Sequence, residues 1–382
     1  MKNKCKYSAY CGGCSLQGIS YEKQLIKKQE YIDSLLNKFC KVNKIIKMED
    51  PLYYRNKVQV SFGFDDKHSV ICGNYVASTH VIVPIEECMI SDLKSTKMIV
   101  YIRDLINKYR ISVFNEDSLR GGIRHIQIRC SNLNEYMVIF VSGSKRVNKL
   151  DLLIKDLLKR FKEIKTVILN INNKHTSMVL SNTNIVLYGK GYIYDKLCGM
   201  KFKLSPSSFY QVNKRQTEVL YKTAIDSIDF KKNETVIDAY CGIGTIGLIV
   251  SKRVNKLIGV ELNKQAIKDA VYNMKLNNVK NAEFISDDAG HFMNRLAKDK
   301  FHVDTVIMDP PRSGADNKFL SSLVKLKPRK ILYVSCGPES LRNNLKFLVK
   351  NNYVIDKIQP VDMFPYTSHV ECVVSMQRKY NK

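Results

Sequence analysis

The chain lacks any apolar run near the roughly 18 residues that a membrane span needs. Its first residues, Met1 to Tyr7, carry charge but no apolar leader segment. Both absences argue against membrane insertion and export, and predict a cytoplasmic protein. Internal repeats and low-complexity tracts are also missing, which argues against a solenoid or a disordered tail. Acidic residues are scarce, with 36 against 62 lysines and arginines, so the formal net charge is +26. Such a balance predicts attraction to polyanions, nucleic acid first. With 382 residues and 45% hydrophobic content, the chain is long enough for two or three cores. Eleven cysteines in a reducing compartment are not a disulfide framework, so clustered ones point to metal or catalysis.

Three of them cluster at once. Cys5, Cys11 and Cys14 form C-x5-C-x2-C, with Gly12 and Gly13 letting backbone amides approach a bound centre. Four thiolates serve both structural zinc and iron-sulfur clusters, and spacing alone does not choose between them. The candidate fourth ligand is Cys88. Residues 21–39 place apolar side chains at helical spacing with lysine opposite, which predicts an amphipathic helix. From Tyr53 the period shortens to two, and residues 53–63, 121–129 and 135–141 read as strands, with a helix over 149–161. Residues 51–195 therefore form an expected central α+β domain on an antiparallel sheet. Arg55, Lys57, Arg124 and Arg129 on its strands are placed to hold phosphates. Residues 1–50 make a cysteine segment and helix, and 196–382 a third domain.

That third stretch alternates strands with helices, which implies a doubly wound, Rossmann-like parallel sheet with its site at the strands' C-terminal edge. The strand at 234–239 runs into Gly242-x-Gly244-x-x-Gly247, a nucleotide-cofactor turn. This spacing also satisfies the dinucleotide fingerprint of a dehydrogenase. Against that reading, Asp238 would repel a pyrophosphate but suits S-adenosylmethionine, which carries an amino acid and a cationic sulfonium. Glu261, at the end of the next strand, is placed for ribose hydroxyls. Asp309-Pro-Pro, after a later strand, fits an arrangement that holds a planar base beside the methyl donor. Another apolar run, 330–334, leads into Cys336, which places that thiol on a loop leaving the sheet edge, where it can react.

Taken together, the cysteine cluster, Phe209-Tyr-Gln211-Val-Asn, the cofactor turn, Asp309-Pro-Pro-Arg-Ser-Gly, Tyr333-Val-Ser-Cys336 and Phe364-Pro-Tyr-Thr-Ser-His-Val-Glu371 resemble the RNA uracil-5-methyltransferases. The resemblance covers essentially the whole chain. It implies a SAM-dependent enzyme in which Gln211, Tyr240, Glu261, Asp288 and Asp309 contact the cofactor, Cys336 is the nucleophile and Glu371 the base. It also implies that Cys5, Cys11, Cys14 and Cys88 hold a [4Fe-4S] cluster, and that the substrate is RNA, 23S rRNA before tRNA, acted on by a monomer. Gly337 stands where the family has Asn or Asp, and only four residues precede Cys5, where ribosomal members carry a small β-barrel. Those departures motivate a second reading, a non-catalytic iron-sulfur RNA-binding protein. A uracil inside folded RNA must be flipped out to be reached, and Phe209, Tyr210 or Tyr366 are candidates to stack on it.

Overall fold

The computed structural model describes residues 5–379 except 78, 117 and 177; Met1–Lys4 lie outside the described residues. The first helix, α1 (Tyr21–Leu36), begins at Ser20, whose hydroxyl accepts from the Lys23 amide. Its buried face is Gln24, Lys28, Ile32 and Leu36, a four-residue spacing that mixes polar and apolar groups. The sequence predicts lysine on the outer side, yet Lys28 is inside and Ile26 is exposed. The reason is a buried partner: the Lys28 ammonium lies 2.6 Å from Asp362 and 3.1 Å from the Phe364 carbonyl. Tyr21 donates to the same carboxylate at 2.8 Å.

The central region comprises β1 (Lys57–Phe64), β2 (Val70–Tyr75), β3 (Ile82–Pro84), α2 (Leu93–Tyr109), β4 (Ile123–Cys130), β5 (Tyr136–Ser142), α3 (Leu150–Arg160), β6 (Ile164–Ile171) and β7 (Asn184–Gly189). The strands form one sheet in the order β3-β2-β1-β4-β5-β6-β7. The first strand starts at Lys57 rather than Tyr53, because Tyr53 has φ 52°, which interrupts the extended run. An all-antiparallel sheet is corrected at one seam, β5 with β6, where α3 makes the crossover that a parallel pair requires. Alternation gives the sheet two unlike faces. Val58, Val60, Ile126 and Ile128 join the core with residues of α2 and α3, while Lys57, Gln59, Gln127 and Arg129 take the other face.

A hairpin of β8 (Ile193–Leu197) and β9 (Met200–Leu204) follows, turning through Cys198 and Gly199 at φ 48° and 78°, the pair of positive angles a tight hairpin turn needs. Next come α4 (Lys214–Asp226), β10 (Thr235–Ala239), α5 (Thr245–Val250), β11 (Lys256–Glu261), α6 (Lys264–Leu276), β12 (Ala282–Ser286), α7 (Ala289–Lys298), β13 (Thr305–Met308), α8 (Asn317–Leu326), β14 (Lys330–Ser335), α9 (Pro338–Lys350), β15 (Tyr353–Val361) and β16 (Glu371–Arg378). The second sheet has the order β12-β11-β10-β13-β14-β16-β15. Its first five strands are parallel and β16 runs antiparallel to both neighbours. Winding reverses between β10 and β13, so the crevice above those two strands is the place where a doubly wound sheet binds ligands. Among the described residues no helix is long and apolar enough to cross a membrane.

Removing one member of the buried Lys28–Asp362 pair leaves the other uncompensated. Asp362→Ala should lower unfolding stability by about 3–5 kcal/mol, read from the urea midpoint of the purified chain. A loss below about 1 kcal/mol, as at an exposed pair, would contradict this account of α1.

Candidate active site

Strand pairing brings Cys336 and Glu371 together. Ser335 of β14 pairs with Cys372 of β16, so one step further along this antiparallel register Cys336 faces Glu371, where Cα atoms stand roughly 4.5–5.5 Å apart. Asp309 follows β13 on the adjoining strand, with Met308 paired to Tyr333. Cys336 lines a cavity of about 360 Å³ with Leu16, Lys28, Arg312, His369 and Val370 among its walls, within the size range of small-ligand sites. Glu371 is 2% exposed, and its Oε2 is buried with no hydrogen-bond partner. A buried acceptor without a donor is costly, and in a native structure it calls for an explanation such as a catalytic role or a bound water.

The electrostatics follow from burial. Desolvation, with Asp309 adding, pushes the Glu371 carboxyl up to about 8. Half-buried Asp309 is raised to about 7 by desolvation. Burial also pushes the Cys336 thiol up to about 11, reinforced by Glu371 and Asp309 and opposed by Arg312. Arg312 is thus the cation that favours the thiolate, a role the sequence did not announce although the residue stands in the Asp-Pro-Pro-Arg run. Its guanidinium lies 3.4 Å from His369 Nε2. Leu16 and Tyr31 also border the cavity; both come from the distant N-terminal stretch, and no sequence signal marks them.

Gly337 has a steric reason. A Cβ there would collide with the Arg312 carbonyl oxygen. The turn is held instead by serines: the Gly337 amide donates to Ser335 Oγ at 3.3 Å, and Ser340 Oγ donates to the Arg312 carbonyl at 2.8 Å. The loop therefore keeps its bracing without an asparagine side chain.

The expected cofactor residues occupy one sheet edge, with one addition from outside. Tyr240 follows β10 at φ 63° and stacks at a tilt on Phe319, ring centroids 5.0 Å apart. Glu261 ends β11 and accepts from the amides of Gly242 and Asn263 at 3.2 and 2.8 Å. Asp288 caps α7 after β12, and Asp309 follows β13. Gln211 is buried on the loop before α4, where its carbonyl accepts from Asn56 at 3.0 Å. Glycine at 242 and 244 takes φ 54° and 82°; a Cβ at 242 would meet open space, one at 244 the Phe284 ring. Asp238 plays a different part from the one expected of it: its carboxylate accepts from the Gly247 amide at 2.8 Å, and burial raises its pKa to about 7. It fixes the turn to the helix start.

Other expectations change. Arg124 is buried against Glu116 and the carbonyls of Asn172 and Lys174, and Arg129 donates to the carbonyl of Ser208 at 2.8 Å; both are internal ties. Tyr210 and Tyr366 are core residues, whereas Phe209 is 69% exposed. Cys5, Cys11, Cys14 and Cys88 line one small cavity. Burial pushes the Cys14 thiol up to about 11, with the other three thiols adding to the rise. Among the described residues no three His, Cys, Asp or Glu side chains converge as a metal ion requires. The expected metal centre is corrected to that extent: the four thiols line one space without converging as ligands of one ion.

A family model described as tRNA (Uracil-5-)-methyltransferase matches residues 20–379. An uncharacterized RNA methyltransferase of Caldanaerobacter subterraneus is 40% identical over 379 residues, covering 98% of this chain and 84% of that protein. Another, from Oceanobacillus iheyensis, is 38% identical over 377 residues, or 97% and 82%. Among solved structures, the Pyrococcus abyssi tRNA (uracil-54, C5)-methyltransferase in complex with S-adenosyl-L-homocysteine superposes with a TM-score of 0.77. It is 27% identical, over 96% of this chain and 86% of that one.

If the Glu371 carboxylate raises the Cys336 thiol as the geometry implies, Glu371→Gln should speed iodoacetamide alkylation of Cys336 at pH 9 several-fold, followed by peptide mass spectrometry. An unchanged rate would separate the two groups. Stability carries the same sign. Asp238, Asp309 and Glu371 hold protons more tightly folded than unfolded, so stability should fall as pH rises from about 5 to 8. The fall should be shallower in Asp309→Asn.

Proposed function

Since the chain belongs to the tRNA (uracil-5-)-methyltransferase family, a family of SAM-dependent RNA methyltransferases, we propose that it methylates carbon 5 of a uridine with Cys336 as nucleophile and Glu371 as general base. The observation that carries this reading is the pairing of a cavity-facing thiol with a buried, unpartnered carboxylate oxygen. Carbon 5 of uracil is a weak nucleophile. Addition of the Cys336 sulfur to carbon 6 moves the ring's electrons toward its carbonyl oxygen and makes carbon 5 reactive. Arg312 favours the thiolate that starts this addition, against the raised thiol pKa. S-adenosylmethionine, when bound, supplies the electrophilic methyl group. Carbon 5 then holds both the methyl and its own proton. The Glu371 carboxylate takes that proton, carbon 5 and carbon 6 regain their double bond, and the Cys336 sulfur leaves. Burial suits Glu371 to the task, because a base works best with a pKa near the working pH, and its pKa is near 8.

Gln211, Tyr240, Glu261, Asp288 and Asp309 are assigned to the cofactor. Four of the five lie at the C-terminal ends of β10, β11, β12 and β13, and the open space at Gly242 leaves room there for a ligand's close approach. Phe209, exposed beside Gln211, is assigned to stacking on RNA. Cys5, Cys11, Cys14 and Cys88 are assigned to a [4Fe-4S] cluster, a group that spreads its four thiolates wider than one ion does; its role is to hold the N-terminal segment, since methyl transfer moves no electrons. We assign 23S rRNA as the substrate ahead of tRNA, and a monomer acting in the cytoplasm. The non-catalytic reading loses its ground, because the glycine after the nucleophile has its own bracing and the family is enzymatic.

Glu371→Gln should reduce turnover about 10²–10⁴-fold and accumulate SDS-resistant RNA–protein adduct carrying the transferred methyl, while Cys336→Ala should give neither product nor adduct. Normal turnover in either variant would remove its residue from the reaction. Mass spectrometry of RNA from a deletion strain should show 5-methyluridine lost from 23S rRNA; loss from tRNA alone would overturn the substrate assignment. Iron and sulfide analysis of anaerobically purified protein should find both, and neither should appear once the four cysteines are serine.

A further inference from the structure

Beside the cysteine segment lies a second cavity, of about 330 Å³, walled in part by Arg55, Lys57, Gln59, Ser91 and Cys88, and by Asn74, whose Nδ2 donates to Cys11 Sγ at 3.5 Å. Its charge is one-sided. Lys57 pairs with Arg129 across the β1–β4 ladder, and two residues earlier Arg55 joins them. Among the described residues none of these three cations has a carboxylate partner. Buried cations elsewhere in the chain do have one, as Lys28 has Asp362 and Arg124 has Glu116. Burial, with Arg129 and Arg55 adding, lowers the Lys57 ammonium to about 8. The same sheet face is short of acceptors: Gln127, opposite Gln59 in the register, leaves Nε2 buried and unpaired, and Arg129 leaves Nε so. Arg129, buried, is tied to backbone carbonyls, but Arg55 and Lys57, half-buried at the cavity wall without a carboxylate, leave their charge to be met by an anion from outside.

The position of this excess says which anion. Arg55 also acts on His369, together with Arg312, and its backbone bridges to Ser91 and Asn213. Cations thus stand at both cavities, Arg312 and Lys28 at the thiol cavity and Arg55 and Lys57 at the second, and His369 feels Arg312, Lys28 and Arg55 together. We infer that this second cavity is an anchoring site for a phosphodiester of the RNA strand next to the target uridine, held by Arg55 and Lys57 with Gln59 as a further polar partner. The inference rests on the proposed RNA substrate and adds where the strand runs. It also separates the four basic strand residues by role, with Arg124 and Arg129 structural and Arg55 and Lys57 ligand-facing.

The test is binding, which does not depend on methyl transfer. Fluorescence anisotropy of labelled 23S rRNA fragments on the full chain, at several salt concentrations, should give Lys57→Met and Arg55→Gln Kd values raised about tenfold. The slope of log K against log salt should drop by about 0.7 to 0.9 for each cation removed. Lys57→Arg should restore the slope, and Lys350→Met, on an exposed helix end, should leave it unchanged. A circular-dichroism melt checks each variant's fold; if Lys57→Met unfolds, Arg55→Gln and Lys57→Arg decide. Unchanged affinity and slope in folded variants would overturn the proposal. Calorimetry with inorganic phosphate distinguishes the other source of the same chemistry: phosphate bound by wild type and lost in the variants, with RNA affinity intact, would mean a free-phosphate site and would also overturn it. Absent methyl incorporation by wild type with intact RNA binding would instead count against the proposed reaction.

Discussion

The antiparallel pairing of the last strand with β14 is the constraint on which the rest depends. Parallel strands in a doubly wound sheet all end at one edge, and each contributes only the residues just beyond its C-terminus. A strand inserted in the opposite sense contributes its first residue to that same edge. Here the first residue is Glu371, and the register Ser335–Cys372 sets it beside Cys336. Neither strand can slip by one residue without turning its buried side chains, Val334, Val373 and Val374 among them, toward the wrong layer. Apolar packing thus fixes the distance between a thiol and a carboxyl group, and it does so on rigid strands rather than on mobile loops.

The segment that enters this edge, residues 362–370, is tied down from far away in sequence. Asp362 is held by Lys28 and Tyr21, the Pro365 carbonyl accepts from Tyr54, the Tyr366 amide donates to Gln24, and the Leu16 amide donates to the Tyr366 carbonyl. The N-terminal cysteine stretch and α1 therefore act as a brace on the loop that carries His369 and delivers Glu371. This gives the cysteine segment a physical role: whatever stabilises it stabilises the loop that leads to Glu371.

Much of this was legible in the sequence, and the failures are of one kind. Strand and helix positions followed from period; the glycine turn, Asp309 and Cys336 stood out because their motifs sit where strands end, and Glu371 because its motif resembles the family's. What could not be read was which polar residues face inward. Lys28 looks like any lysine on a solvated helix face until its partner Asp362, remote in sequence, is placed. Arg124 and Arg129 look like Arg55 and Lys57, and only Glu116 and the Ser208 carbonyl distinguish them. Tyr210 and Tyr366 look as available as Phe209, yet only Phe209 is exposed. Gly337 reads as a departure from a motif, and its cause is the position of the Arg312 carbonyl. Each of these depends on a tertiary neighbour, which local pattern does not encode.

The claim that one sulfur and one carboxyl group work on opposite ends of the same carbon–carbon bond is tested most directly with RNA carrying 5-fluorouridine at the target position. Fluorine at carbon 5 cannot leave as a proton, so the carboxyl group has nothing to remove and the sulfur cannot depart. Incubation with methyl donor, nuclease digestion and peptide mass spectrometry should find a single modified peptide, with Cys336 joined to carbon 6 of a 5-fluoro-5-methyl ring. An adduct on any other cysteine, or methylated RNA released free of protein, would contradict the account.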